Sequence, residues 1–175
     1  MERVLVVGCS GAGKSEFSRR LADRTGLPLI HLDKEFWQPG WMPMAPEAWR
    51  RRVATLAAEP RWIMDGQFGG TLGLRLSHAD TVFVFDMPRW LCLMRVLRRT
   101  VRYFGRTRRD MAPGCVERFD WQFLKYIWNY RHNHRPRHLA TLEGFPGTVV
   151  ILRRPADVKA YLARLERVAA PSPAS

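Results

Sequence analysis

The sequence lacks the features that mark secreted, disulfide-stabilised or membrane-spanning proteins. Its 175 residues contain only three cysteines, which are widely spaced and form no CxxC pair, so neither a disulfide framework nor a zinc site is indicated. No apolar run approaches the ~20 residues that a transmembrane helix needs, and the first apolar run is too short for a secretory signal peptide. We therefore expect a cytoplasmic protein with no membrane partner.

Acidic residues and lysines are also scarce. The chain has 16 Asp and Glu against 29 Lys and Arg, a formal net charge of +13, and only four of the basic residues are lysines. The segment 86–137 has twelve Arg and one Lys but four acidic residues, and so carries a net charge of +9. Such a concentration of positive charge predicts a polyanionic ligand, either a nucleic acid or the phosphates of a small molecule.

Short apolar runs alternate with amphipathic helical patterns along the chain. This alternation is typical of an α/β domain in which helices cover both faces of a parallel sheet. We place one such domain at residues 1–170 and expect the low-complexity residues 171–175 to be disordered. The predicted strands are residues 4–7, 29–32, 62–64, 81–85 and 148–152, and the predicted helices are residues 15–25, 47–58, 88–104 and 156–168.

A phosphate-binding motif directly follows the first predicted strand. Residues 8–15 read GCSGAGKS, the pattern GxxxxGK[ST] in its required place between a strand and a helix. The glycines let the backbone wrap a phosphate, and the amides at the start of the helix point at the anion. Lys14 can reach the β- and γ-phosphates, and the Ser15 hydroxyl can bind Mg²⁺. The predicted ATP-binding residues are Gly8, Ser10, Gly11, Ala12, Gly13, Lys14 and Ser15.

Three aspartates follow other predicted strands, at the sheet edge where ligands bind in open α/β proteins. Asp65 ends an apolar strand and is predicted to hold Mg²⁺ together with Ser15. Asp33 is predicted to be catalytic, because it can accept a proton or hydrogen bond from a substrate hydroxyl. Asp86 precedes a proline-started helix and suits a helix cap. A loop or capping role is the alternative for each of them.

The predicted helix 88–104 has an apolar face and a basic face. The apolar face, by which an amphipathic helix packs, consists of Leu93, Leu97, Val101 and Phe104. Arginines on the other face have no nearby acidic partner in the sequence, so they repel one another unless an anion neutralises them. They either surround a transferred phosphoryl group or form a solvated basic face. We predict catalytic roles for Arg95 and Arg99, and a mobile Arg-rich lid at about residues 99–120.

Together these motifs resemble the adenylate-kinase-like P-loop proteins known in bacteria as DNA topology modulation or flagellar-regulator proteins. The matching segments are residues 8–15, 27–33, 62–66, 79–92, 105–108 and 121–128. The resemblance implies a three-layer P-loop NTPase fold with five parallel strands in the spatial order 2-3-1-4-5. It also implies that Asp65 is the strand-end aspartate of adenylate kinases, that Arg106 is a lid arginine, and that Arg154 lies where those enzymes pass the adenine ring.

The chain departs from adenylate kinases around the acceptor site. In those enzymes Phe-Pro-Arg follows the strand-end Asp-Gly and its arginine holds the AMP phosphate, whereas Gln67 follows Asp65 and Gly66 here. Their AMP-binding helical segment is replaced by residues 33–37 and further tryptophans. Asp33 instead resembles the acceptor aspartate of shikimate-type kinases. The acceptor therefore stays open between a nucleotide and another small metabolite.

Tryptophans and histidines near these segments have two interpretations. The tryptophans are Trp37, Trp41, Trp49, Trp121 and Trp128. Aromatic residues at helical spacing usually pack in a core, but they can also stack a nucleobase or single-stranded nucleic acid. The histidines within residues 131–138 lie among arginines and lack a nearby carboxylate or cysteine, which favours a basic helix end over a metal tract.

The predicted function is an adenylate-kinase-like, Mg²⁺-ATP-dependent phosphotransferase that moves the γ-phosphate to a nucleotide or another small metabolite. The alternative is a nucleic-acid-associated regulator that uses ATP binding as a switch, which the charge of segment 86–137 supports. No helix-turn-helix, zinc-finger or RNA-recognition signature occurs in the sequence, so the kinase is favoured. The sequence leaves the donor base and the oligomeric state open.

Overall fold

The five predicted strands form one parallel sheet. A computed structural model describes residues 1–169, so the predicted disordered tail at 171–175 lies outside the described residues. The strands are β1 (Arg3–Gly8), β2 (Leu29–His31), β3 (Trp62–Asp65), β4 (Thr81–Phe85) and β5 (Thr148–Leu152). They lie in the spatial order β2–β3–β1–β4–β5, so the predicted order 2-3-1-4-5 is confirmed. All their carboxyl ends therefore meet at one edge of the sheet.

Eight α-helices within residues 1–169 surround this sheet. They are α1 (Lys14–Thr25), α2 (Leu32–Phe36), α3 (Pro46–Ala58), α4 (Leu72–Leu76), α5 (Arg89–Tyr103), α6 (Trp121–Asn133), α7 (Arg135–Leu142) and α8 (Pro155–Ala169). A hairpin of two short antiparallel strands, Trp37–Gln38 and Met42–Pro43, follows α2. The four predicted helices are all present, with ends within one residue of the predicted ones.

Alternation along the central strand separates the core into two layers. Val4 and Val6 pack with α1 and α8 on one face of the sheet, whereas Leu5 and Val7 pack with α3 and α4 on the other. On the first face the ring of Phe17 from α1 packs edge-on against a phenylalanine of β4, with 4.9 Å between their centroids. The predicted three-layer arrangement is therefore confirmed, and its physical basis is the period of two along a strand buried on both sides.

Helix α5 packs through a different face from the one predicted. Leu97, Val101 and Phe104 are exposed, and Leu93 is half-buried. The buried residues of the helix are instead Leu91, Cys92, Val96 and Thr100. Cys92 and Val96 lie against the phosphate-binding loop, where the backbone of Gly11 approaches them. The predicted face was wrong because two stripes of α5 carry apolar residues at helical spacing, and contact with that loop selects the other one.

A buried arginine fixes the backbone that follows β3. Arg75 of α4 is fully buried, and its guanidinium donates to the carbonyl oxygens of Gly66 at 3.1 Å, Gln67 at 2.8 Å and Phe68 at 2.9 Å. Burial lowers the pKa of Arg75 to about 9, so the group is charged at neutral pH. Three carbonyl groups of an irregular segment thus accept from one cationic side chain, which holds the segment after Asp65 in place.

Replacing Arg75 with methionine is expected to lower the free energy of unfolding by about 3 kcal/mol, because three carbonyl groups lose their donor while the apolar volume is largely kept. Urea denaturation would measure the loss. Arg51→Met is the matched control, since the side chain of Arg51 is 76% exposed and its removal should change stability by less than ~0.5 kcal/mol. Equal stabilities of the two variants would contradict this role for Arg75.

The described helices do not include a membrane span. None of those in residues 1–169 combines the length and apolar character needed to cross a bilayer. All three cysteines are unpaired and buried.

Candidate active site

The loop between β1 and α1 has the shape that its sequence predicts. Gly13 caps α1 with a φ of +102°, and Gly11 has a φ of +79°. A Cβ atom at Gly11 would lie 2.4 Å from the carbonyl oxygen of Cys92, so only glycine fits against α5 there. Within residues 1–169, the amides of Gly11 and Gly13 donate to no other residue. These free amides and the N-terminus of α1 form a cradle for an anion.

Two basic side chains lie on this cradle. The Lys14 Nζ donates to the Cys9 carbonyl oxygen at 3.0 Å, and the Arg95 Nη1 donates to the Ala12 carbonyl oxygen at 3.0 Å. A single neutral acceptor leaves each cation able to bind a phosphate as well. Arg95 was predicted from a charge pattern on α5, and the fold brings it 83 residues back along the chain to the loop.

Two carboxylates lie at the carboxyl ends of neighbouring strands β2 and β3. Asp65 is buried at the end of β3, and its Oδ2 is 3.0 Å from the Nδ1 of His31. Its other oxygen, Oδ1, has no hydrogen-bond partner among the described residues. Asp33 lies in the first turn of α2. Burial raises the pKa of Asp33, and the nearby Asp65 carboxylate raises it further, whereas Lys14 and Arg108 oppose the shift.

The residues present fit a magnesium ion. A buried carboxylate oxygen without a partner normally costs free energy unless a cation or water satisfies it, and the Asp65 Oδ1 is such an atom. The Ser15 hydroxyl lines the same cavity. Mg²⁺ is usually bound by one or two protein carboxylates together with phosphates and water, and within residues 1–169 no group of three or more His, Cys, Asp or Glu could hold a metal.

Most of the predicted residues line one cavity of about 940 Å³ above the sheet edge. Those on its wall are Ser10, Gly11, Gly13, Lys14, Ser15, Asp33, Asp65, Arg95 and Arg99. Gly8, the last residue of β1, and Ala12 of the loop do not line it. Residues as far apart in sequence as Ser10 and Arg99 therefore line one open cavity, which is large enough for two small substrates.

Two predicted nucleotide-binding arginines do not line the cavity. Arg106 is exposed, and its backbone carbonyl accepts a hydrogen bond from the amide of Glu117. Arg154 is also exposed, and its side chain lies 3.4 Å from Asp157 in the first turn of α8. Arg108 and Arg118, which lie further along the lid than Arg106, do line the cavity.

Two arginines of the predicted lid, Arg99 and Arg108, are paired with acids, contrary to the sequence prediction. Glu117 is buried, and its carboxylate accepts from the Arg108 Nε at 2.7 Å and from the Thr100 hydroxyl at 3.1 Å. The Arg99 Nε lies 3.4 Å from the same carboxylate, and Arg108 also pairs with Asp110 at 3.0 Å. The prediction failed because Glu117 is distant from α5 in sequence and reaches it when residues 104–120 fold back. Residues 99–103 of the predicted lid belong to α5.

The lid and the short hairpin close over the cavity together. The Gly40 amide donates to the Gly114 carbonyl oxygen at 3.1 Å, and the indole of Trp41 donates to the Val116 carbonyl oxygen at 2.8 Å. Trp37 and Trp41 pack against a small buried cluster of the lid, Met111, Ala112 and Cys115. These contacts join the lid and the hairpin into one cap over the cavity, and Trp37 and Trp41 form an aromatic wall of this cap.

The tryptophans have different roles in the structure. Trp49 is buried in the core, as its helical spacing predicted. Trp37 and Trp41 line the cavity. Trp121 and Trp128 are 71% and 45% exposed, so a packing role is wrong for these two.

Asp86 does not cap a helix. Its two carboxylate oxygens accept from the Nε and Nη2 of Arg135 at 2.7 and 2.8 Å, and this pair lowers the pKa of Asp86. Helix α5 begins after Pro88 without a side-chain cap. The capping interpretation was therefore wrong, because a stronger partner from α7 takes the carboxylate.

Sequence reasoning missed a polar network behind the phosphate-binding loop. The Gln67 Oε1 accepts from the Gly8 amide at 2.6 Å and from the Tyr130 hydroxyl at 3.1 Å. The same hydroxyl lies 3.1 Å from the Nδ1 of His138, which lines the cavity together with His134. The one signal was that Gln67 stands near the position of an adenylate-kinase arginine. Its contact with the loop could not be read from that difference.

Solved kinases share this fold. Shikimate kinase from Acinetobacter baumannii in complex with shikimate has a TM-score of 0.59 and 17% identity, over 96% of this chain and 93% of that one. Shikimate kinase from Bacteroides thetaiotaomicron has a TM-score of 0.58 and 13% identity, over 95% and 97%. A gluconokinase from Sinorhizobium meliloti 1021 has a TM-score of 0.53 and 18% identity, over 96% and 93%.

Identities this low concern the fold alone. No protein-family model and no curated protein matches the chain. With the sheet order and the loop after β1, the structural likeness shows that the chain has the P-loop NTPase fold.

Proposed function

We propose that this protein is a Mg²⁺-ATP-dependent phosphotransferase that acts on a small hydroxylated acceptor. The proposal rests on the observation that the candidate functional groups meet in one cavity. The phosphate cradle, the buried Asp65 with an unpartnered oxygen, the acceptor candidate Asp33 and four arginines of α5 and the lid all line one cavity. The kinase structures that share the fold support the same reaction class. Membership in the adenylate-kinase-like family named above is part of this proposal.

The chain supplies binding, orientation and charge to the reaction. The free amides and Lys14 would hold the β- and γ-phosphates, and Ser15 and Asp65 would hold the metal ion. Bound magnesium would neutralise charge that develops on the phosphate oxygens. Arg95, fixed to the loop by Ala12, would stay beside the transferred group. Asp33 would accept the hydroxyl proton of the acceptor.

The wall around Asp33 suggests what the acceptor is. The cap adds Trp37 and Trp41, and Phe68 completes an aromatic wall. Gln67 is bound to the Gly8 amide and so does not replace the arginine that holds AMP in adenylate kinases. The lid cations Arg99 and Arg108 both pair with the carboxylate of Glu117. We therefore favour an acceptor with a flat or ring-shaped apolar face and a hydroxyl group, such as a nucleoside or a cyclic polyol, over a monophosphate.

Thermal protection tests the donor site. Mg²⁺-ATP at about 100-fold over its Kd is expected to stabilise the fold by about 2.7 kcal/mol, which would raise the Tm by roughly 5–10 °C. Lys14→Ala should lose most of this shift, because its ammonium contacts the phosphates. Lys159→Ala, at an exposed position of α8, is the matched control and should keep it. A wild-type protein that ATP and Mg²⁺ do not protect would refute the proposal.

A screen for acceptor-dependent ADP release then identifies the substrate. Nucleosides, nucleoside monophosphates and small hydroxylated metabolites form the panel. A regulator that only binds ATP would show thermal protection without ADP release from any acceptor. It would also bind DNA or RNA at micromolar concentration near physiological salt, whereas a phosphate site that captures polyanions nonspecifically would lose them above low salt.

A further inference from the structure

Helix α5 carries a continuous apolar ridge on its outer surface. Trp90, Met94, Leu97 and Val101 repeat at spacings of four and three residues along one face of α5, and Phe104 follows three residues later, directly after the helix ends. All of them are exposed, with Val101 at 79% and Trp90 at 62%. We call these five residues the α5 ridge. An exposed apolar helix face of about three turns is an unusual surface for a protein that has no partner there.

Neighbouring aromatic residues widen this surface. Phe119 and Trp121 lie before and at the start of α6, which packs against α5, and both are exposed. Trp128, further along α6, carries the guanidinium of Arg89 4.0 Å above its ring. Of the exposed large hydrophobic residues in the described chain, nine fall between Trp90 and Trp128. Apolar residues are therefore exposed on α6 as well as on α5, and Trp128 lies beside Arg89 at the start of α5.

The charges on α5 itself have one sign. Arg98 and Arg102 are exposed and lie next to Val101 around the helix. The sequence of α5 contains five arginines in total and no acidic residue. Arg95 and Arg99 are on the cavity side, so the outward pair remains for an external ligand. A binding partner that complements this surface is apolar at its centre and negatively charged at its margin.

We propose that the α5 ridge docks the protein on an anionic lipid surface. A convex helix with Leu, Val, Met, Trp and Phe on one side and arginines beside them matches an interfacial helix, whose apolar face enters the acyl boundary while its cations meet the headgroups. Exposed Trp and Phe side chains favour the same boundary between the headgroups and the acyl chains. The contact needs no long apolar run, so hydropathy did not predict it. It is independent of the proposed reaction, because the ridge residues lie outside the cavity.

Two other occupants fit the surface less well. In an antiparallel pairing of two copies through α5, Arg98 and Arg102 would meet the same residues of the second copy, and α5 offers no acid to neutralise them. Single-stranded nucleic acid would satisfy the arginines. However, it stacks on aromatic rings, whereas the centre of the ridge is formed by Met94, Leu97 and Val101.

Sedimentation with vesicles tests the proposal. The full chain is mixed with vesicles of phosphatidylcholine alone, or with 30% phosphatidylglycerol added, at several salt concentrations. We expect binding to the anionic vesicles that weakens with salt and is at least tenfold weaker on phosphatidylcholine. Val101→Glu should weaken binding to the anionic vesicles by tenfold or more, and Arg98→Gln with Arg102→Gln should weaken it several-fold.

The control is Met42→Glu, which places the same charge on an apolar residue that is 61% exposed in the hairpin. It should bind like the wild type, and thermal unfolding verifies that all variants are folded. Equal vesicle binding by Val101→Glu and the wild type would overturn the proposal, as would a folded wild type that does not bind. A wild-type dimer that Val101→Glu converts to a monomer, or an oligonucleotide bound in place of vesicles, would assign the ridge to a second copy or to nucleic acid.

Discussion

Replacing Arg99 with alanine is expected to lower kcat by roughly 10²-fold or more and to leave the affinity for ATP nearly unchanged. Arg99 is a mostly buried cation on the cavity wall. It has no contact with the phosphate-binding loop of the kind that Arg95 makes, so its interaction with phosphate should develop mainly as charge moves onto the transferred group. An interaction made in the transition state alone affects kcat and spares ground-state binding.

Arg102 provides the matched control for this experiment. It lies three residues further along α5, is exposed, and stacks loosely over Tyr103 at 5.7 Å. Arg102→Ala should therefore change kcat by less than about twofold. Steady-state kinetics with the acceptor found in the screen, together with ATP binding by calorimetry, separates the two parameters. If the two variants behaved alike, Arg99 would belong to a solvated charge stripe and the catalytic assignment would be wrong.

Replacing Asp33 with asparagine is expected to lower turnover to about 1% of the wild-type value or less and to raise thermal stability at neutral pH. Burial and the neighbouring Asp65 raise the pKa of Asp33 in the folded state. In the unfolded chain the carboxyl group titrates near its ordinary value of 3.8. The folded protein therefore holds this proton over a pH range in which the unfolded chain has lost it, so stability contributed by this group falls as the pH rises through that range.

The stabilisation by Asp33→Asn should thus be present at neutral pH and should vanish below about pH 4, where both states are protonated. Urea denaturation at several pH values measures it. Asp23→Asn, at an exposed position of α1, is the control and should alter neither turnover nor the pH profile. A destabilised Asp33→Asn variant would show that the carboxylate is structural, and a fully active one would remove it from the mechanism.

Local sequence determined the sheet and the phosphate cradle. β1, β3 and β4 are apolar runs that end at turn residues, and their burial on both faces follows from that composition alone. The cradle is equally local, because its glycines, Lys14 and Ser15 lie within eight consecutive residues and its shape depends on backbone conformation. The aspartates at the carboxyl ends of the strands could be found for a related reason. A parallel sheet brings those ends to one edge.

The tertiary structure alone decided which arginines line the cavity and which face of α5 is covered. Pairing of Arg99 and Arg108 with Glu117 depends on the path of residues 104–120, which contain no regular helix. The burial of Cys92 and Val96 in place of Val101 depends on contact with a loop about 80 residues earlier. Helical periodicity identifies apolar stripes, but two stripes with similar residues are distinguished only by the surface against which the helix packs. Long-range contacts of this kind determine the conformation of the lid and leave the α5 ridge exposed.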